Sequence, residues 1–350
     1  MSAKSAGSGG TPEGLSAAAA LELMLERVAV TEAAVRDRFP LYAAPETGEW
    51  TTTVRGSWVA GFWVGTLWLR ARWTRDARHR AVAEDWTRRL AAAAAADTVT
   101  RGLTLWYGAA AGHRLGVSDS APQLALEGAE QLAATFDPQA GILPWGTAFG
   151  APAAPVIARV DGLAGTIPLL AWTGTRAVAE RHLATHLRVC SGRAEWIPAL
   201  SFAHGRWEPC TEPAIGWSRG DAWRLLALAD AGLWLDTEYS RRAVESMTEW
   251  PWPPTAVPAA VRGESWVIDT SAASIMAVAL CKLGRFDQAC ELAEVLVGEH
   301  LSAGSAPGRL LNGCYDLSRG VATGHELIWG DFFLMLALAM LSGEVDPAEL

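Results

Sequence analysis

A repeat of paired helical segments is the feature that most constrains how this 350-residue chain can fold. Segments that are apolar on almost every side alternate with segments that carry charges on one face, and short polar turns join each pair. The apolar segments begin roughly 45 to 59 residues apart, a longer period than that of common helical arrays. Their predicted starts lie near Trp58, Leu103, Asp161, Ser218, Thr270 and Trp329, and those of their partners near Asp76, Ser120, Thr175, Thr237 and Arg285.

The two ends of the chain supply the remaining pair of helices. An amphipathic helix is predicted over 15–39, and the last helix, 329–341, is as apolar as the interior. Pairing them lets the array close on itself, whereas an open solenoid would need polar capping repeats at both ends. The sequence therefore predicts an all-α fold of six helical hairpins in an inner and an outer ring. Residues 15–350 are expected to form a single domain after a disordered tail, 1–14.

The longer loops all lead into the apolar helices, so they are expected to lie together at one end of the rings. They are rich in Trp, Gly, Pro and polar residues. Loops held on a rigid scaffold often carry binding and catalytic residues, so the function is predicted at this end. The loops span residues 46–57, 137–160, 190–217, 250–269 and 302–328.

Composition argues against several classes of protein. A net charge of −9 is unlike the basic face of a nucleic-acid binder. The sequence contains no uncharged apolar run of about 18 residues, so no membrane span is expected. The tail lacks the charged-then-apolar design of a signal peptide, and the five cysteines show no metal-ligand spacing. These features predict a cytoplasmic protein.

Tryptophan is unusually frequent, with 18 residues against 8 Phe and 4 Tyr. Indole rings fill hydrophobic cores because each buries a large area. Flat indole faces also stack on sugar rings, so the count is compatible with a carbohydrate site. The count alone favours the core.

Five stretches at the starts of the apolar helices form an ordered set that resembles glycoside hydrolase family 88, the unsaturated glucuronyl hydrolases. The resemblance runs from about residue 57 to 341 and implies an (α/α)6 barrel with a catalytic role in polysaccharide degradation. The stretches are GFWVGTLW at 61–68, Asp161 with PLLAWTG at 168–174, WSRGDAW at 217–223, DTSAASI at 269–275 and IWGDFF at 328–333.

Asp161 stands at the head of an apolar run, and two roles fit that position. Asp is a preferred N-cap residue, so position alone favours capping of the helix that follows. A carboxyl group at the dry mouth of a pocket can instead act as a catalytic acid. Asp161 matches the catalytic aspartate of the family, which hydrates the C4=C5 double bond of a 4,5-unsaturated uronic acid. The resemblance implies that its acid form protonates C4 and its carboxylate then activates water for attack at C5. The resulting hemiketal opens and releases the remaining sugar.

Four further residues are candidates for substrate binding. Trp63 and Trp145 offer indole faces, although Trp63 fits a core position equally well. Arg219 is either a buried ion-pair partner or a clamp for a carboxylate, since its planar fork suits bidentate binding. Trp223 lies one turn further along the same helix face. The resemblance implies substrate roles, and we expect these side chains to converge with Asp161 on one pocket.

The chain departs from the family pattern at a second aspartate, which is expected near residue 101. Arg101 lies there instead. The nearest carboxylate, Asp97, is as readily a loop or capping residue. If Arg101 faces the pocket, its charge would favour the anion of Asp161 and confine acid catalysis to lower pH.

The sequence thus predicts a glycoside hydrolase that releases 4,5-unsaturated uronic acid from oligosaccharides. No cofactor, metal, nucleic acid or membrane partner is expected, and the protein is predicted to be a monomer or homodimer. Scattered histidines, among them His182 and His186, are predicted to be solvated or to cap helices. The second hypothesis is a sugar-binding barrel that is non-catalytic or of altered specificity, favoured by the missing aspartate. An epimerase is disfavoured because no histidine pair is evident at the pocket.

Overall fold

A computed structural model describes residues 15–119, 122–151, 153–190, 196–247, 259, 267–304 and 306–350. The helices of these residues, in chain order, are α1 (Ala17–Val35), α2 (Ala60–Thr74), α3 (Ala77–Arg89), α4 (Ala91–Ala94), α5 (Arg101–Thr104), α6 (Ala111–Arg114), α7 (Gln123–Ala133), α8 (Thr166–Trp172), α9 (Arg176–Cys190), α10 (Ser218–Trp234), α11 (Glu238–Met247), α12 (Thr270–Lys282), α13 (Phe286–Val295) and α14 (Ile328–Leu341). Single π-helical turns extend two of the helical hairpins, at Leu105–Ala109 and Leu296–His300. Short 3-10 turns lie at Ser57–Val59 and Val160–Gly162.

The helices form two concentric rings. The inner ring runs α2, α5 with α6, α8, α10, α12 and α14, and α14 packs back against α2. The outer ring is formed by α3, α7, α9, α11, α13 and α1, each packed on an inner helix. This closure confirms the predicted double ring and is incompatible with an open solenoid. The helices begin within a few residues of their predicted starts, apart from the predicted start at Ser120, which lies outside the described residues.

Aromatic side chains fill the axis of the inner ring. Phe62 and Trp223 stack with their planes 17° apart and their centroids 6.3 Å apart. Phe333 meets the edge of Trp223 at 5.5 Å, and Tyr107 and Phe332 complete the cluster. All are buried, so this part of the barrel is a packed core with no open channel.

Glycine allows the first two inner helices to approach each other closely. A Cβ added at Gly61 would lie 2.6 Å from the Cα of Thr104, and one added at Gly108 would lie 2.8 Å from the Cα of Gly61. A Cβ added at Gly65 would lie 2.5 Å from the carbonyl oxygen of Tyr107. Gly61 and Gly65 therefore allow the neighbouring inner helix to pack directly against the backbone of α2.

A fully buried ion pair joins α10 to α12 at the end of the barrel away from the long loops. Lys282 lies 2.6 Å from Asp230, and both side chains are inaccessible to solvent. Burial raises the pKa of Asp230, an effect that the Lys282 ammonium opposes. The pair therefore fixes α10 and α12 against each other at this end.

The prediction of an all-α fold is incomplete, because the long loops also form antiparallel strands. The strands are β1 (Phe39–Ala43), β2 (Trp50–Thr53), β3 (Val156–Arg159), β4 (Ala199–Ala203), β5 (Arg206–Pro209), β6 (Gly313–Asp316) and β7 (Val321–Leu327). One sheet has the order β2-β1-β7-β6 and joins the loops that lead into α2 and α14. The other has the order β3-β4-β5 and joins the loops that lead into α8 and α10.

The β4–β5 hairpin shows why these strands form. Its two-residue turn is His204-Gly205, and both residues have positive φ, 51° and 76°. That geometry is the type I′ turn that matches the twist of paired strands, for which glycine is well suited. The predicted tail, 1–14, and most of the predicted loop 250–269 lie outside the described residues.

Within the described part of the chain, no helix combines the length and apolar character needed to cross a membrane. The five cysteines are free thiols, of which Cys190, Cys281 and Cys314 are buried and Cys290 is exposed.

Replacing Gly61 with alanine tests the close helix contact. The added methyl group must displace the backbone of Thr104, and overpacking of this kind lowers the free energy of unfolding by about 1–3 kcal/mol. Gly298→Ala is the matched control, because a Cβ there meets nothing within 4 Å. Urea unfolding followed by circular dichroism measures both variants, and equal stability of the two would contradict the packing account.

Candidate active site

Asp161 lies where β3 ends and the 3-10 turn before α8 begins. Arg159, the last residue of β3, is two residues earlier, and its side chain reaches the carboxylate of Asp161. Its Nε donates to Oδ1 of Asp161 at 3.1 Å, and its Nη2 donates to Oδ2 at 2.9 Å. The N-cap of α8 is Gly165, so the interpretation of Asp161 as an N-cap is wrong. Asp161 is instead one half of a bidentate ion pair.

Tryptophan and arginine side chains alternate at this end of the barrel. The Arg159 guanidinium carbon lies 4.2 Å from the ring centroid of Trp145 and 6.0 Å from that of Trp217. The Arg219 guanidinium carbon lies 5.2 Å from Trp217 and 5.4 Å from Trp329. We call these five side chains the Trp–Arg ladder. Indole faces attract guanidinium groups, so the ladder keeps two cations side by side.

Arg219 is held by a buried partner on the neighbouring helix. Its Nη1 lies 2.6 Å from Oδ2 of Asp269, and their side chains are 7% and 1% exposed. Arg219 also donates to the backbone carbonyls of Cys314 and Tyr315 in β6. Asp269 is the N-cap residue of α12, and its Oδ1 accepts a hydrogen bond from the backbone N–H of Ser271. The same oxygen also accepts from the backbone N–H of Cys314. Arg219 is therefore a buried ion-pair partner, one of the two roles considered for it.

A cavity of about 370 Å³ opens between the two small sheets. Both ladder arginines and Trp217 line it, and Asp269 and Tyr315 form part of its wall. Its further charged lining comes from Glu212, Asp316 and Arg319. The cavity is thus a polar site at the loop end, where the function was predicted.

The structure brings together only some of the predicted site residues. Trp145 and Arg219 both belong to the Trp–Arg ladder, and Asp161 is joined to the ladder by its ion pair with Arg159. Trp223 is 1% exposed and lies in the aromatic cluster on the barrel axis. Trp63 is fully buried, with its ring 5.8 Å from and perpendicular to that of Trp86 in α3. Its indole therefore packs between the two rings of helices and not against the cavity.

Arg101 does not face the cavity. It is buried, and its Nη2 donates to the carbonyl oxygen of Gln131 near the end of α7, in the outer ring. Burial lowers its pKa. The hypothesis that Arg101 acts on Asp161 is therefore wrong, because the Arg101 side chain points to the outer ring and donates its hydrogen bond there.

Asp97 anchors the loop that carries Trp145. One of its oxygens accepts from the backbone N–H and the hydroxyl of Thr147, at 3.0 and 2.6 Å. These hydrogen bonds lower the pKa of Asp97. The loop role considered for Asp97 is thus the observed one.

Two histidines pack beneath the Asp161 segment, contrary to the prediction that they are solvated or act as caps. Nδ1 of His182 accepts from the backbone N–H of Leu143, which leaves Nε2 to donate to the carbonyl of Gly162. His186 lies on the same face of α9, with its ring 4.5 Å away. Burial holds the pKa of His182 well below its usual value and lowers that of His186 to about 4. Both are core residues that pack behind the Asp161 segment.

Sequence reasoning missed Arg159, Trp217 and Asp269 as parts of the site. Arg159 was detectable, because a strand before Asp161 would place both side chains on one side. Asp269 carried an N-cap signal at the start of α12, which the structure confirms. Its pairing with Arg219 joins residues 50 positions apart, and no local pattern reports such a contact.

The double ring of helices is shared with several solved structures. The chain is similar in structure to the unsaturated glucuronyl hydrolase of Bacillus sp. GL1, with a TM-score of 0.79 and 22% identity over 91% of this chain and 95% of that one. An unsaturated glucuronyl hydrolase specific for heparin gives a TM-score of 0.82 with 18% identity, over 93% and 97% of the two chains. A variant of the Streptococcus agalactiae enzyme, complexed with dGlcA-GalNAc6S, gives 0.73 with 16% identity, over 93% and 90%.

These similarities establish a shared fold. No protein-family model matches the chain, and no curated protein matches it either. Among the described residues, no three His, Cys, Asp or Glu side chains are grouped so that they could hold a metal ion. The absence of a cofactor and the oligomeric state stay predictions.

Removing the carboxylate of Asp269 should destabilise the protein strongly. Asp269→Ala leaves the buried guanidinium of Arg219 without its counter-charge, which costs about 3–5 kcal/mol in comparable buried pairs. Asp85→Ala is the control, because its arginine partners on α3 are exposed and the effect should be small. Chemical unfolding of both variants measures the difference, and a similar loss in each would refute the buried-pair account.

Asp221, in the first turn of α10, should make stability depend on pH. Burial raises its pKa to about 6, against 3.8 in an unstructured chain, although Arg224 opposes the shift. Because the folded pKa is the higher one, its stabilising contribution is full below pH 3.8 and is lost as pH rises through about 6. Asp221→Asn should remove this dependence and be more stable than the wild type at pH 7. Unfolding free energies measured between pH 4 and 8 check this, and parallel curves would disprove it.

Proposed function

We propose that the protein is a hydrolase of acidic sugars that hydrates the C4=C5 double bond of a 4,5-unsaturated uronic acid. The observation that carries the proposal is the place of Asp161. It is paired with an arginine that lines the loop-end cavity, on the fold of the unsaturated glucuronyl hydrolases. Asp161 is also the residue that the sequence resemblance assigns as the catalytic acid.

The arginines of the cavity support an anionic ligand through direct contact. Arg159, Arg219 and Arg319 line the cavity, and each has an acidic partner, so the lining has no net positive charge. The guanidinium group of Arg159 is partly exposed and can still donate hydrogen bonds to a carboxylate such as that of a uronate. The ligand class follows that of the Streptococcus enzyme, whose structure holds dGlcA-GalNAc6S.

The proposed reaction uses one carboxyl group twice. Protonated Asp161 donates its proton to C4, and a positive charge develops at C5. The carboxylate then removes a proton from water, whose oxygen bonds to C5 and gives a hemiketal. Opening of the hemiketal breaks the bond between C5 and the ring oxygen, which takes up a proton, and leaves a ketone at C5 and a hemiacetal at C1. Collapse of this hemiacetal to an aldehyde breaks the glycosidic bond and releases the second sugar as its alcohol. We assign stacking on the sugar ring to Trp145, which is half-buried and packs on Arg159 at the edge of the cavity lining.

A second candidate is a sugar-binding protein without catalysis. Two observations favour it. Both oxygens of Asp161 accept hydrogen bonds from Arg159, so the carboxyl group is engaged in an ion pair within the protein. In addition, Arg101 stands where a second aspartate was expected and points to the outer ring.

Incubation with lyase-generated unsaturated disaccharides distinguishes the two candidates. A hydrolase removes the ultraviolet absorbance of the C4=C5 bond, and Asp161→Asn should lower the rate by at least about 100-fold, as expected for loss of acid–base catalysis. Asp85→Asn is the matched control, since Asp85 pairs with exposed arginines on α3, does not line the cavity and should keep full activity. Binding of the disaccharides without any loss of absorbance would favour the non-catalytic candidate.

A further inference from the structure

Arg159 has one occupied and one open edge. Its Nε and Nη2 hold Asp161, whereas no hydrogen bond to a described residue is made by Nη1. The side chain is 24% exposed and lines the cavity, and Trp145 supports its face. A guanidinium group can bind a second carboxylate through its free edge in the same planar, bidentate manner.

We propose that Arg159 is the receptor for the ligand's carboxylate, and that an anion bound there drives Asp161 to take up a proton. The ligand class rests on the proposed function. In the free protein the guanidinium charge is matched by Asp161. A second carboxylate on the open edge shares that charge and brings another negative charge close to Asp161. Protonation of Asp161 then restores the balance of one cation and one anion. A bound acidic sugar thus raises the protonated fraction of Asp161, the form that the proposed reaction needs.

The surroundings of the pair leave Asp161 as the group that takes up the proton. His182 and His186 face it from α9, and burial keeps the pKa of both far below neutrality. Cys210, near Arg159, has its pKa raised by burial and stays a thiol. Glu212 lines the same cavity, so Glu212→Gln serves as a control variant.

The linkage between the two anions is reciprocal. If ligand binding favours protonation of Asp161, then loss of its charge must strengthen ligand binding by the same factor. Asp161→Asn should therefore bind an acidic sugar about three- to tenfold more tightly than the wild type near neutral pH. A purely structural ion pair predicts unchanged or weaker binding.

Isothermal titration calorimetry with methyl β-D-glucuronide tests the proposal, with methyl β-D-glucoside as the uncharged match. Both ligands are saturated, so turnover cannot intervene. Titration in buffers of different ionisation enthalpy measures protons taken up on binding. A three- to tenfold linkage shifts the titration of Asp161 by no more than about one pH unit, so the titrations are made at several pH values between about 4 and 7. We expect uptake of a fraction of a proton with the glucuronide in the wild type and in Glu212→Gln, no uptake in Asp161→Asn, and none with the glucoside.

Variants at Arg159 make the test specific. Arg159→Gln should lower affinity for the glucuronide by about tenfold or more and remove its preference over the glucoside. Arg159→Lys keeps the charge without the planar fork and should recover this affinity only in part. The gain from Asp161→Asn should vanish in the Arg159→Gln background.

Two results would overturn the proposal. One is a glucuronide preference that survives Arg159→Gln. The other is a gain from Asp161→Asn that persists without Arg159, since that would reflect simple repulsion between two carboxylates. Turnover of unsaturated disaccharides is a separate readout. Linked binding without turnover leaves this inference standing and defeats the proposed function, and turnover without linkage does the reverse.

Discussion

Buried ion pairs at both ends of α10 and α12 are the constraint on which the site depends. At the closed end, Asp230 and Lys282 are entirely removed from water, and at the loop end Arg219 and Asp269 are nearly so. Buried pairs contribute little net stability compared with apolar contacts, but each is costly to break. They therefore fix the register of α10 against α12, because sliding of one helix along the other would break both pairs. The loop-end pair also holds β6, and with it one wall of the cavity.

The site is built on loops whose positions derive from the rings beneath. The close contact at Gly61 and the aromatic cluster on the axis leave the inner helices little freedom. Strand pairing then converts the loops into two small sheets, and the cavity lies between them. Arg159 receives its direction from β3, and Trp217 directly precedes α10. Loops fixed in this way can hold a bidentate geometry that a free loop could not.

The sequence was informative about the rings and less so about the site. Hydrophobic periodicity located the inner helices, because a helix buried on all sides has a distinctive composition. It overlooked the strands, whose short segments in polar loops give weak periodic signals. Asp161 and Arg219 were identified through ordered motifs. Trp63 was misplaced because a motif reports a residue's presence and not the face from which its side chain leaves the helix. Asp269 paired with Arg219 across 50 residues, beyond the reach of any local rule.

Ring closure sets how this molecule loses its structure. In a linear helical array, end repeats have one neighbour and can fray while the middle stays folded. Here α14 packs against α2, and the antiparallel pairing of β1 with β7 also joins the N-terminal and C-terminal parts of the ring. Each helical hairpin of the described ring therefore has two neighbours, so the unfolding of any one hairpin exposes apolar surface on two others. Unfolding of the ring is therefore cooperative, and local unfolding of a single hairpin is suppressed.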